Sequence, residues 1–217
     1  MSLPAFLRCP ELEELGVDHG LGTRASARVE IPGLVRARQV HGTAILRAPL
    51  ARPESRGDAL WTREPGVAVG IHTADCVPIL LADRRRRGVA AVHAGWRGSA
   101  AGLATLAVQR LCRELGAPPT ELLAVIGPHI GVCCYEVDRS VRAVIRHGRA
   151  FRPGRRPGHH QLDLLLLNRH QLLAAGLLPE RVLRVGGCTC CEAERYASYR
   201  RDGTGGRMLH YIRMPGS

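Results

Sequence analysis

HTADCVPILLADRRRRGVAAVHAGWRG, running from His72 to Gly98, is the stretch that decides the fold. Val77 to Ala82 and Gly88 to His93 are short apolar runs, and Asp83 with Arg84 to Arg87 makes a polar, turn-like stretch between them. Two such runs around a polar turn predict a tight antiparallel hairpin. With the turn centred near Arg85, Cys76 faces His93. Directly opposed residues hold their Cβ atoms about 4.5–5.5 Å apart. That separation suits a thiolate and an imidazole sharing one zinc ion, and it equally suits a thiolate–imidazolium pair.

Around the hairpin, further strands are predicted at Leu34 to Val40, Ala44 to Leu46, Val67 to His72, Leu122 to Ile126, Val182 to Val185 and Arg207 to Ile212. Helices are predicted at Ser99 to Gly116, with Ser99 as N-cap and Gly116 as stop, at Val137 to His147 and at Leu162 to Gly176. A short amphipathic piece lies around Glu11 to Leu15, and Arg52 to Gly57 and Arg149 to His160 read as loops. Strands and helices mix without strict alternation, which predicts an α+β fold with mixed sheets.

A chain of 217 residues buries one substantial core, so one domain over 1–217 is expected. No apolar run reaches a membrane span. MSLPAFLRCPELEELG lacks a signal peptide's charged start and long apolar centre, which predicts a soluble, cytoplasmic protein. The net charge is +12, yet every basic residue is arginine and only 4% of residues are aromatic. That composition resembles codon bias more than a nucleic-acid surface, which for single strands needs stacking platforms. It favours small anions at an arginine-lined cleft instead.

Zinc needs a third ligand, and His41 in RQVHG is a candidate among ten histidines, beside His72 and His129. A Cys/His/His set leaves one tetrahedral position open, as catalytic zinc sites do. Arg97 and the helix start near Ser99 make an anion pocket, and Asp75 is placed for proton transfer or for orienting a ligand. Cys133, Cys134, Cys188, Cys190 and Cys191 are read as partly buried thiols rather than a metal cluster. There is no G-x-S-x-G, Walker loop or H-E-x-x-H.

HGLGTR (His19 to Arg24), RQVHG (Arg38 to Gly42), GDALWT (Gly57 to Thr62), HTADCVPILL (His72 to Leu81), HAGWRG (His93 to Gly98), GPHIGVCCYEV (Gly127 to Val137) and SYRRDGTGGRM (Ser198 to Met208) follow one another along nearly the whole chain. Together they resemble the YfiH-type, or laccase-domain, family, whose members carry the names polyphenol oxidase and purine nucleoside phosphorylase. The resemblance implies a four-layer α/β/β/α sandwich with mixed sheets, and a zinc ion held by His41, Cys76 and His93. It further implies phosphorolysis of adenosine, inosine and related nucleosides to base and ribose 1-phosphate, with adenosine deamination in some members. Phosphate and substrate contacts would fall to Arg24, Gln39, Arg97, Ser99, Arg200 and Arg201. Asp75 would move the proton, with Glu136 as fallback, and the protein would work as a monomer or homodimer without nucleic acid or membrane. Two departures stand out. Leu21 and Gly22 replace the family's usual aromatic and Ser or Thr, which would alter a wall of the nucleoside pocket, and Gly205-Gly206 lengthens the usual T-G-R.

Other readings stay open at this point. A metal-free cysteine hydrolase would use Cys76 as nucleophile and His93 as base. A copper polyphenol oxidase is less favoured, because several coppers need a richer histidine array than three ligands give. A basic scaffold with structural histidines, or an enzyme acting on another anionic metabolite, completes the set.

Overall fold

Apolar side chains alternate onto both faces of the central hairpin, so the chain must cover it twice. The computed structural model describes residues 3–48, 50–203 and 206–216; the lengthened loop at Thr204 and Gly205 lies outside them. Val77–Asp83 pairs antiparallel with Val89–Ala94, and every residue of both strands is buried. Ile79, Leu81, Ala90 and Val92 join one apolar cluster, with residues of helices Leu103–Leu115 and Leu164–Ala174. Leu80, Ala82, Val89 and Ala91 point the other way and meet Val69, Ile71 and Ile212 of a second sheet. The period-two alternation of a strand thus builds two cores from one hairpin.

The first sheet has six strands in the order Val182–Arg184, Leu122–Ile126, Val77–Asp83, Val89–Ala94, Ala59–Thr62, Ile45–Arg47. Its outermost pairs are parallel and its inner pairs antiparallel. The second has five, in the order Phe6–Leu7, Asp18–Gly22, Met208–Arg213, Ala68–Thr73, Leu34–Val35, and only its last pair is parallel. A small three-stranded sheet of Glu136–Val137, His160–Leu162 and Phe151–Pro153 lies apart from both. The layered α+β class with mixed sheets is as expected.

Two predicted elements differ in ways that bear on the site. The expected Leu34 to Val40 strand stops at Val35, and the rest becomes a loop. The helix expected from Ser99 is two helices, Trp96–Ala100 and Leu103–Leu115, separated at Gly102 with φ 78°. Gly95, not Ser99, caps the first. Asp163 caps the Leu164–Ala174 helix by accepting from the Leu166 amide at 2.8 Å. No helix among the described residues is long and apolar enough to cross a membrane.

Candidate metal centre

The hairpin register is shifted by two residues from the expected one. Pro78 pairs with His93 and Val77 with Ala94, so Cys76 sits diagonal to His93 rather than opposite it. The two still meet. Cys76 and His93 lie on the face turned toward the second sheet, and the chain bends before Cys76, at Asp75 with φ 85°. His41, in the loop that replaces the end of the predicted strand, also has a left-handed backbone, φ 58°. One ligand-type atom from each of His41, Cys76 and His93 lies within 4.8 Å of the others. Gly95 makes room for them, since a Cβ there would come 2.9 Å from His41 Nδ1 and 3.0 Å from Cys76 Sγ.

Asp58 organises this set. Fully buried, it accepts from His93 Nδ1 at 2.9 Å. The same carboxylate accepts from the amides of Val40, His41 and Gly42 at 3.2, 2.9 and 2.7 Å. With a carboxylate on Nδ1, the proton of neutral His93 is fixed there and Nε2 is left free as a ligand. Burial lowers the proton affinity of His93, but Asp58 and then Cys76 outweigh it and raise its pKa to about 9. Burial likewise pushes the Cys76 thiol up, while His41 and His93 draw it down to about 7. In the metal-free site His93 therefore favours its imidazolium form, and Cys76 ionises more readily than an ordinary thiol. His41 is the exposed member and His93 the buried one, so the set opens toward solvent on the His41 side.

The other predicted contacts divide. Gln39 is not available to substrate: it exchanges two 2.8 Å hydrogen bonds with the backbone of His72, and so anchors the His41 loop to the second sheet. Ser99 is fully buried, and its hydroxyl accepts from Asn168 Nδ2 at 2.9 Å. Arg24 pairs with Asp202 at 2.8 Å and donates to the Ala193 carbonyl. Arg201 spends its guanidinium on Asp202 and on the carbonyls of Thr189, Cys190 and Tyr196. Asp75 is buried beside Cys76, but one oxygen accepts from Thr189 Oγ1 at 2.6 Å and the other from the Arg200 amide at 2.7 Å. Glu136 is tied to Arg156, whose amide and guanidinium hold the carboxyl down at about 2.

Arg97 remains, and Arg200 in part, since one of its guanidinium nitrogens donates to the Glu136 carbonyl at 2.8 Å. Arg97 is exposed and stacks on Trp96, while Arg200 lies 5.2 Å from the ring centre of Tyr135. Burial raises the Tyr135 phenol; the charges of Cys76 and Asp75 raise it further, while Arg200 and Arg97 lower it. Leu21 and Gly22, expected to reshape the pocket, are buried instead; Leu21 belongs to the core between the sheets.

The sequence reading missed Asp58 and Tyr135, although both stand inside blocks it quoted. It also took the cysteine runs to hold no C-x-x-C pair, although Cys188 and Cys191 have that spacing. Read from the sequence as partly buried thiols rather than a metal cluster, Cys133, Cys134, Cys188 and Cys191 bring their sulfurs within 4.8 Å of one another.

Residues 22–215 match the family described as multi-copper polyphenol oxidoreductase laccase. A purine nucleoside phosphorylase of Pseudomonas aeruginosa is 42% identical over 179 residues, covering 80% of this chain and 71% of that protein. The purine nucleoside phosphorylase YlmD of Geobacillus stearothermophilus is 41% identical over 161 residues, but the chain spans only 59% of its length. An adenosine deaminase from an unknown prokaryotic organism is 37% identical over 151 residues, covering 67% of this chain and 57% of that protein. Among solved structures, YfiH of Bacillus licheniformis superposes with a TM-score of 0.88 at 29% identity, covering 98% of this chain and 97% of that one.

Proposed function

The chain belongs to the multi-copper polyphenol oxidoreductase laccase family, and from that membership we propose that it is a zinc-dependent purine nucleoside phosphorylase. Inosine and adenosine are its substrates, phosphate its co-substrate, and adenosine deamination a second activity. The names of its relatives support the substrate class. The observation that carries the reading is the convergence of His41, Cys76 and His93 around one point, with Asp58 behind them.

That donor set fits zinc. Imidazole nitrogen and thiolate sulfur are both ordinary zinc donors, three protein ligands leave one position open, and the glycine at position 95 leaves them space. A set of three holds one ion, so it does not by itself make a multi-copper oxidase. Zinc bound there supplies Lewis acidity, polarising a substrate atom or acidifying a water. The chain's own residues supply binding and position. Arg97 and Arg200 attract the phosphate, and Tyr135 gives the purine an aromatic edge. An oxygen of phosphate bonds to the ribose C1′ as the C1′–N bond breaks. The electron pair leaves with the base, which takes its proton from solvent. Asp75, with both oxygens engaged, acts as a positioning residue that fixes Arg200 and the bend before Cys76.

Inosine incubated with zinc-loaded protein should release hypoxanthine only when phosphate is present, with ribose 1-phosphate in equal amount. Release at the same rate without phosphate would overturn phosphorolysis. A second reading rests on one observation: Cys76, His93 and Asp58 stand in the order nucleophile, base, orienting carboxylate. A cysteine hydrolase would use His41 to lower the Cys76 thiol rather than to hold an ion. Activity that survives chelation but stops on alkylation of Cys76 would favour it.

A further inference from the structure

A second set of ligand-type side chains converges away from the proposed catalytic centre. The sulfurs of Cys133, Cys134, Cys188 and Cys191 all lie within 4.8 Å of one another, and all four are free thiols. Cys134 and Cys191 approach to 3.3 Å, Cys133 and Cys191 to 3.6 Å. A tetrahedral zinc with bonds of about 2.3 Å sets its sulfurs about 3.8 Å apart, which lies inside this spread.

The backbone is built for the cluster. The amides of Cys134 and Tyr135 both donate to the Gly131 carbonyl, closing a turn in which two consecutive cysteines face the same way. On the other loop, Cys188 and Cys191 have the knuckle spacing of structural zinc sites. Glu192 closes that loop by donating to the Cys188 carbonyl. The Gly131 amide joins the two loops by donating to Cys188 Sγ at 3.1 Å. A Cβ on Gly131 would come 3.1 Å from Cys133 Sγ and 3.4 Å from Cys188 Sγ. Cys133 and Cys191 are exposed, so core packing does not explain why they gather.

We infer that Cys133, Cys134, Cys188 and Cys191 hold a second zinc ion, closed and structural, that staples the 131–134 loop to the 188–191 loop. The staple matters to the first site because both loops feed it. Thr189 holds Asp75, Tyr135 follows the cysteine turn, and Arg201 grips the carbonyls of Thr189 and Cys190. Four protein ligands leave no open position, so this ion would set the shape of the pocket wall and take no part in turnover.

Zinc per chain, measured on protein purified under reducing conditions, tests this without any assay of activity. The wild type should carry about two equivalents, and His41→Ala about one. Adding Cys188→Ser or Cys191→Ser to His41→Ala should remove the remainder, whereas Cys190→Ser should keep it. Cobalt in the His41→Ala protein should give the intense visible spectrum of a tetrahedral thiolate site. If the cysteine variants fail to fold, the folded His41→Ala protein still decides. Its four thiols should resist a thiol reagent until a chelator is added. A metal-free His41→Ala protein after zinc loading, thiols equally reactive with and without chelator, or a mass lower by two hydrogens from a Cys134–Cys191 disulfide would each overturn the inference. A wild type with one equivalent that Cys188→Ser abolishes would support it and count against the catalytic zinc instead.

Discussion

Asp58 joins the two histidines of the proposed centre through a single carboxylate. It accepts hydrogen bonds from His93 Nδ1 and from three consecutive amides of the His41 loop. Its amide neighbours lie 16 to 18 residues before it and its imidazole partner 35 after it. No spacing rule connects those positions, so GDALWT could be quoted without Asp58 being seen as more than a polar residue before a strand. Cys76 and His93 were legible because one hairpin carries both, and His41 only through the family resemblance. Asp58→Asn should weaken zinc binding by roughly 10–100-fold, the usual cost of losing a carboxylate behind a histidine ligand. Competition with a chromogenic chelator would measure it, and an unchanged affinity would remove Asp58 from the account. The thiol gives an independent check. In metal-free protein, alkylation of Cys76 should accelerate through a midpoint near 7, because the thiolate is the nucleophile and His41 and His93 draw its pKa down to that value. In Asp58→Asn, with His93 less easily protonated, the midpoint should move up toward that of an ordinary thiol.

The hairpin shows why a correct element can carry a wrong register. Its turn is closed by Asp83 and Gly88, with the Asp83 amide donating to the Gly88 carbonyl. Asp83 also accepts from the amides of Arg85 and Arg87 and pairs with the Arg87 guanidinium at 2.7 Å. Arg86 takes a left-handed backbone, φ 56°, that four arginines in a row do not announce. The strands' apolar runs were readable from pattern; the carboxylate that centres the turn was not. Diagonal neighbours on one face of a sheet remain within reach of each other, so the ligands met despite the shift. The following glycines separate space from conformation. Gly95 has an ordinary extended backbone, and the atoms nearest to where its Cβ would go belong to the ligands His41 and Cys76. Gly102 has φ 78° and nothing within 4 Å. Gly95→Ala should lose most zinc affinity while melting close to wild type in the metal-free state. Gly102→Ala should bind zinc normally and be less stable by about 1–2 kcal/mol. Calorimetry and metal titration on the same two variants check both, and a Gly95→Ala protein with unaltered zinc affinity would show that the ligands do not converge where that glycine leaves room.

Charge and buried imidazoles together set how the molecule responds to acid. Net charge is already +12 at neutral pH, so every further proton adds to self-repulsion. His210 is fully buried: its Nδ1 accepts from the Gly22 amide at 3.1 Å, which leaves the ring proton on Nε2 facing Thr73 Oγ1 at 2.8 Å. A second proton would have to face the Gly22 N–H. Burial accordingly depresses His210 to about 3, and burial with Arg36 and Arg207 depresses His72 to about 4. His19 and His129 shift in the same direction, again through burial. The unfolded chain takes up these protons near 6.5 and the folded one does not. Stability is therefore whole above 6.5 and falls as pH drops from there toward 4 and 3. His93 has the opposite sign. Its pKa, raised to about 9, contributes stability below 6.5 that is lost as pH rises through 9. Carboxylates with depressed pKa values, Asp58 and Asp83 among them, start to cost stability only below about 4. The histidines thus control the interval from 6.5 to 4. The melting temperature of metal-free protein, kept free of zinc so that ligand protonation cannot expel it, should fall steadily across that interval. In His210→Gln, which keeps a neutral polar side chain at that position, the fall should be shallower by about one proton's worth of slope. A wild-type melting temperature that stays level from pH 7 to 5 would mean that these imidazoles are protonated in the folded protein, and that the hydrogen bonds assigned to His210 do not hold it neutral.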